Sequence, residues 1–355
     1  MTIDKSFKSS PSSPRVTLFV PSASQEREDQ NHVLTVNKAA FAKELSAKNR
    51  SGLNARPAWV SETLFPFTSR FVRIEDAQLH YVDEGTGPTL LFLHGSLMWS
   101  FMFRHTIGAL RAQFRCVAVD MPGLGLSMAP VACGSEFERN SSYYRKFVQH
   151  FDLRNVTLIA HATAAPSALR MIICEQGRAA GVVITNSFAW SMRAFPSMWR
   201  FVRVVSSRPF RILNERLNLL PRLTTRIGRS SGRFGEAECA AILGPYQQPD
   251  ARRHLGSLLY GLRAEVPFFE ALRADLPKLR TTPLLLLYGI KDHGYQAGFL
   301  EQWKSMVPEA SVTLLEKSGH FAPEDEPETY TAALSEWLAQ RGASQPSASV
   351  QRRSG

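Results

Sequence analysis

From residue 69 onward the chain alternates short, mostly apolar runs with segments whose apolar residues recur every three or four positions, a pattern few architectures accept. TLLFLHG (89–95), CVAVDMPG (116–123), VTLIAHA (156–162), VVITNS (182–187), PLLLLYG (283–289) and SVTLLEK (311–317) are too short for buried helices. They read as strands buried on both faces, as in a parallel sheet. SRFVRIED (69–76) and LHYVDEG (79–85) precede them as an opening hairpin. Helical patterns fill the intervals: FMFRHTIGALRAQF, SSYYRKFVQHFDL, APSALRMIICEQG, FLEQWKSMV and ETYTAALSEWLAQR. This succession predicts an α/β fold, a mostly parallel central sheet with helices on both faces.

The interval 188–278 breaks the rhythm, with helical patterns and no strand, immediately after a strand end. It is expected to form an inserted all-helical cap over the carboxyl edge of the sheet, where open α/β sheets hold ligands. The predicted organisation is a disordered arm (1–55), a first core part (56–187), the cap (188–278), a second core part (279–341) and a disordered tail (342–355). Arm and tail are rich in small polar residues, too poor in apolar ones to build a core of their own.

Much of the net charge of +11 comes from the cap, where Arg193, Arg200, Arg203, Arg208, Arg211, Arg216, Arg222, Arg226, Arg229 and Arg233 alternate with Trp, Phe, Val and Leu. That spacing describes basic amphipathic helices. Their plain reading is a solvated face, and their functional reading is contact with an anionic surface. No nucleic-acid-binding motif accompanies the charge, and no nucleic-acid partner is expected. No run approaches the roughly 18 apolar residues of a membrane span. The start MTIDKSFKSSPSSPR lacks the apolar centre of a secretion signal, so a cytoplasmic location is expected. Cys116, Cys133, Cys174 and Cys239 lie far apart without a C-x-x-C pair. Cys116 and Cys174, within apolar runs, are expected to be buried thiols, and neither a metal nor a cofactor is expected.

The residues able to do chemistry fall at strand ends. LFLHGSLMW places His94 and Gly95 where a tight turn can aim backbone N–H groups, and DMPGLGLS (120–127) is a second such turn. YGIKD puts Asp292 just after one strand, and EKSGHF puts His320 just after the next. One strand–helix–strand excursion separates them, so adjacent parallel strands would bring both to one edge. A histidine oriented by a carboxylate is a base near neutral pH; the plain alternative is an idle ion pair.

Together these patterns resemble the α/β-hydrolase superfamily, and within it the haloalkane dehalogenase-like and epoxide hydrolase-like branch, from about Trp59 to Arg341. The likeness is carried by LFPFTSRFVRIEDAQLHYVDEGTGPTLLFLHGSLMWSFMFRH, FRCVAVDMPGLGLS, VVITNSFAWS and LEQWKSMVPEASVTLLEKSGHFAPEDEPE. It implies a strained strand-to-helix turn that lifts a nucleophile above the sheet. In dehalogenase-like members that turn reads His-Asp-Trp-Gly-Gly; here the same places hold His161, Ala162, Thr163, Ala164 and Ala165. A methyl group cannot attack carbon, so the resemblance implies that the ester route is closed at Ala162. Thr163 stands for the tryptophan, and Ser96 for the asparagine, that would hold a halide, and haloalkane dehalogenation is not expected.

The backbone N–H groups of Ser96 and Thr163 are expected to survive as an oxyanion hole. Thr163 itself becomes an alternative nucleophile if the register moves by one, although His161 would then occupy a position the turn reserves for a small residue; His161 is expected to pack beside the turn. Trp99, Phe101, Phe188, Trp190 and Trp199 are expected to line a pocket for an apolar small molecule, ordinary cap packing being the plain alternative. The expected function is acid–base chemistry of the hydrolase or lyase type by His320, steered by Asp292, without a covalent adduct. A ligand-binding or docking protein that has lost turnover is the alternative.

Overall fold

The computed structural model describes residues 56–131, 134–227 and 229–344. The predicted arm, Cys133 and residues 345–355 of the predicted tail lie outside the described residues. Eight strands form one sheet: β1 (Arg70–Ile74), β2 (Ala77–Glu84), β3 (Thr89–Leu93), β4 (Arg115–Val119), β5 (Val156–His161), β6 (Ala179–Thr185), β7 (Leu284–Gly289) and β8 (Ser311–Leu315). Their order is β1-β2-β4-β3-β5-β6-β7-β8. The opening hairpin pairs β1 with β2 antiparallel, and β2 meets β4 antiparallel. Every other pairing is parallel.

The strands read as unbroken apolar runs because both faces of the sheet are covered. Leu91, Leu93, Val117, Val119, Leu158, Ala160, Val182 and Ile184 point to one core, with helices Glu136–His150, Ala164–Cys174 and Phe299–Met306 packed over them. Their alternate neighbours Leu90, Phe92, Cys116, Ala118, Ile159, Val183, Leu285 and Leu287 point to the other, beneath helices Arg104–Leu110 and Pro327–Ser344. Each fully buried Leu, Val, Ile or Phe side chain among them contributes roughly 1.5–3 kcal/mol relative to exposure. Cys116 is buried as expected, but Cys174 is exposed. It is the last residue of its helix, and its position on the turn carries it off the apolar stripe that ends at Ile173.

Between β6 and β7 the regular elements among the described residues are helices, with no strand: the longer ones are Pro196–Val205, Arg208–Leu217, Leu219–Ile227, Glu236–Leu243, Pro249–Ala264 and Val266–Asp275. Local chemistry sets the boundaries. Proline opens four of these helices at the first positions, Ser207 accepts the N–H of Phe210, and Asn218 ends its helix in the left-handed region at φ 54°. The cap is tied to the core beside the sheet edge. Trp99 Nε1 donates to Ala241 O at 3.0 Å, and the Tyr246 hydroxyl donates to Ser96 O. No helix among the described residues is long and apolar enough to cross a membrane.

Candidate active site

The carboxyl ends of the parallel strands bring the candidate residues to one edge. After β5, Ala162 adopts φ 47°, a left-handed conformation that costs an L-residue with a Cβ roughly 1–2 kcal/mol. The surroundings hold it there: Ala162 N donates to Thr185 O at 3.1 Å, Ala165 N donates to Ala162 O at 3.2 Å, and Ser187 Oγ donates to Ala162 O. Helix Ala164–Cys174 begins at once, with Thr163 at its N-cap. A sharp strand-to-helix turn is therefore built, with a methyl group at its apex. Gly95 closes in from β3, where an added Cβ would lie 2.8 Å from the Ala162 methyl and 2.7 Å from His161 Nδ1.

Asp292 and His320 meet, as the topology of β7 and β8 requires. His320 Nδ1 lies 2.7 Å from Asp292 Oδ2, while Asp292 Oδ1 accepts the N–H groups of Gly294 (2.8 Å) and Tyr295 (3.1 Å). The carboxylate is buried, whereas the His320 side chain is 41% exposed. Burial pushes the Asp292 carboxyl up, but the neighbouring His320 and the three donors outweigh it and hold it below the usual carboxylate range. An ionised acceptor fixes the proton on Nδ1, which leaves Nε2 with the lone pair and the open edge of the ring. His293, next in sequence, is exposed.

Two further groups fix this pair. Asn186, in the left-handed region at φ 46°, donates to Gly319 O at 3.0 Å and accepts from Gly289 N at 3.1 Å, stitching the end of β7 to the loop that carries His320. Asp325 accepts the N–H of Gly319 at 2.7 Å and that of Ser230 at 2.6 Å, so the segment following helix Leu219–Ile227 is anchored beside the same loop. His161 is fully buried next to His320, its Nε2 2.7 Å from His320 O, with Nδ1 unpartnered. Burial, reinforced by His320, pushes its pKa down to about 3, so it is neutral at any ordinary pH.

The expected oxyanion donors are arranged differently from the sequence reading. Ser96 N donates to Thr163 Oγ1 at 2.8 Å, so that amide is engaged by the chain itself. The cause is the short β-branched side chain of Thr163, which puts an acceptor on Cβ facing the β3 turn. The threonine hydroxyl thus points to Ser96, and no hydrogen bond joins it to His320 among the described residues.

Of the aromatic residues, Trp99 and Phe101 are fully buried and stacked at 5.5 Å in the core cluster that includes Phe65 and Ile242. Phe188 and Trp190 are buried in the opposite cluster, where Trp190 meets Phe195, Phe299 and Trp303 and its indole N–H has no partner. Trp199 is half-buried on the cap, under the guanidinium of Arg193.

Three polar assemblies escaped the sequence. Buried Asp120 accepts from His80 Nδ1, Ser100 N and Leu126 N, each at 2.8 Å; burial pushes it up, but the charge and hydrogen bond of His80 bring it to about 2. Gly125, at φ 59°, leaves room for that carboxylate, since a Cβ there would lie 2.3 Å from Asp120 Oδ2. His94 accepts from Met121 N at 2.7 Å and turns Nδ1 to Gly95 O, fixing the β3 turn. Arg104, buried over the Phe101 ring, joins Glu324 of the core to Glu238 of the cap. The DMPGLGLS glycines were the one available signal for the first of these.

Residues 90–333 match the model of the alpha/beta hydrolase family. Haloalkane dehalogenase 2 of Mycobacterium tuberculosis is 32% identical over 285 residues, 77% of this chain and 96% of that protein. A cis-3-alkyl-4-alkyloxetan-2-one decarboxylase of Shewanella oneidensis is 23% identical over 282 residues, 74% of this chain and 86% of that protein. The crystal structure of haloalkane dehalogenase DbeA from Bradyrhizobium elkani superposes with a TM-score of 0.69 at 19% identity, covering 79% of this chain and 100% of that one.

Proposed function

The chain belongs to the alpha/beta hydrolase family, in its haloalkane dehalogenase-like and epoxide hydrolase-like branch, and from that premise we propose an enzyme that acts on an apolar small molecule without covalent catalysis. His320 is the acid–base residue and Asp292 its positioning partner. The observation that carries this is the pairing of an intact, oriented dyad with an alanine at the strained apex: the 2.7 Å His320–Asp292 contact beside Ala162 at φ 47°. Strain at a turn persists where surrounding structure over-determines it, so the scaffold for attack is kept while the attacking group is absent.

The chemistry open to this set is proton transfer at His320 Nε2. The ring takes a proton from water, which then adds to an electrophilic carbon, or from a carbon acid whose electrons expel a leaving group. Asp292 keeps Nδ1 protonated and stabilises the imidazolium that forms, as an aspartate does for a catalytic histidine elsewhere. Thr163 supplies the oxyanion donor. Its oxygen accepts from Ser96 and its own hydrogen is left to donate, so the polarity of the Ser96 amide is relayed through the hydroxyl to the substrate. Haloalkane dehalogenation is not this chain's reaction, since no carboxylate stands at 162 and no tryptophan at 163.

The Ser96–Thr163 bond also favours a second reading, a ligand-binding protein that has lost turnover, because the chain satisfies its own amide. The two separate on one experiment. Purified protein, with His320→Ala and Ala162→Asp variants, is incubated with a panel of apolar esters, epoxides, haloalkanes and oxetan-2-ones. Turnover by the parent that His320→Ala abolishes supports the enzyme; no turnover of any compound by the parent, with ligand binding retained, supports the binding protein.

A further inference from the structure

Three consecutive cap helices present a surface that reaction chemistry does not use. Phe201, Val204, Ile212, Leu213, Leu217 and Leu223 are 43–58% exposed, an unusual concentration of wet apolar area on a folded domain. The rows follow the helical repeat. On Arg208–Leu217, Leu213 and Leu217 form one row, and Arg208, Ile212 and Arg216 the row beside it. Arg200 and Arg203 flank Phe201 and Val204 on Pro196–Val205, and Arg222 and Arg226 flank Leu223 on Leu219–Ile227. All six of these arginines are exposed, and none forms an ion pair with another described residue. Helices Pro196–Val205 and Arg208–Leu217 both rest on helix Pro249–Ala264, so their outward faces lie on one side of the cap.

The charge selects the occupant. Glu215 is the one acid between residues 196 and 227, and it sits 3.3 Å from Arg253. Residues 1–55 carry more Lys and Arg than Asp and Glu, and a second copy would present the same basic face, so neither complements this surface. What matches apolar rows interleaved with unpaired guanidinium groups is the interface of an anionic bilayer. There arginine stems run along the apolar row while their heads meet lipid phosphates, and Phe, Val and Leu enter the acyl boundary. The geometry points to this face as a peripheral docking site for an anionic lipid surface, an assignment that stands apart from whatever reaction His320 supports.

The test uses the full chain and sedimentation with phosphatidylcholine vesicles, with and without phosphatidylglycerol. Two quadruple variants are compared, Arg200→Gln/Arg203→Gln/Arg208→Gln/Arg216→Gln and Phe201→Ser/Val204→Ser/Leu213→Ser/Leu217→Ser. The parent is expected to pellet only with vesicles that contain phosphatidylglycerol, and added salt is expected to weaken that binding. The arginine variant is expected to lose affinity by about tenfold or more, and the serine variant to lose the binding that survives added salt. A parent that stays in the supernatant overturns the assignment. So does a serine variant that binds as tightly as the parent, since the surface would then be acting as bare charge. A second readout does not depend on the quadruple variants folding. In a Leu213→Trp chain, brominated acyl chains are expected to quench the new indole, and an unquenched signal also overturns the assignment.

Discussion

Replacing Asp292 by Asn keeps the side-chain volume and removes the charge, which isolates what the carboxylate does. Three donors converge on it: His320 Nδ1 at 2.7 Å, Gly294 N at 2.8 Å and Tyr295 N at 3.1 Å. An amide has one oxygen. If that oxygen stays on the turn, the NH2 faces His320 Nδ1; if it turns to His320, the NH2 faces two backbone N–H groups. Either way the charge-assisted bonds, worth about 1.5–3 kcal/mol each, are lost; in the second arrangement buried N–H donors are also stranded, at a cost of about 1–3 kcal/mol each. The expected destabilisation is about 3 kcal/mol at neutral pH, read as the difference in urea unfolding free energy by linear extrapolation. The pH dependence carries a sign. Asp292 titrates below the usual range in the folded chain, so its contribution is present above the unfolded carboxyl pKa of about 3.9 and is lost as pH falls through the lower folded value. The gap between parent and variant should therefore persist down to about pH 4 and close below it. With the oxygen on the turn, the ring is forced into its Nε2–H tautomer and loses its base. A fall in turnover of about 10⁴ is expected, by analogy with serine-protease triads. A gap under about 1 kcal/mol at neutral pH, or one undiminished well below pH 4, would refute the reasoning.

Other outcomes follow from the same geometry. His161 is buried neutral with its pKa pushed down to about 3, so protonation of the unfolded chain near pH 6.5 favours unfolding as pH falls. Denaturant titration at pH 7 and pH 5 should show the parent losing about 2 kcal/mol more than His161→Gln over that interval. Arg104→Ala strands Glu324, whose carboxyl burial already pushes up to about 7 against the pull of Arg104, and should cost about 3–5 kcal/mol in thermal or urea unfolding. Gly125→Ala drives a methyl to 2.3 Å from Asp120 Oδ2 at φ 59°. Left-handed strain and overpacking together should cost about 3 kcal/mol, visible as a lower unfolding midpoint.

The strands were legible in the chain because the parallel sheet is buried on both faces, which turns LLFL and LLLLY into unbroken apolar runs that no half-wetted strand shows. Asp292 and His320 were legible for a topological reason: each follows a strand, and only helices His293–Gln296 and Phe299–Met306 and strand β8 lie between them. The bond from Ser96 to Thr163 was not, because it depends on one side-chain rotamer meeting a turn 67 residues away. The partners of Asp120 and Arg104 were hidden for the same cause. Their ion pairs reach across 40 and 220 residues, and nothing in the local pattern says that a charge lies inside. The exposure of Cys174 turned on the last position of a helix, where a run of apolar letters misleads about which face a residue takes.

The most direct measurement is the intact mass of the protein caught during turnover of whichever panel compound it consumes, followed by peptide mapping across residues 156–170. An unshifted mass while product accumulates, with turnover lost in His320→Ala, is the predicted result. A mass increase mapping to Thr163, or product formation that survives loss of the imidazole, would contradict non-covalent catalysis by the His320–Asp292 pair.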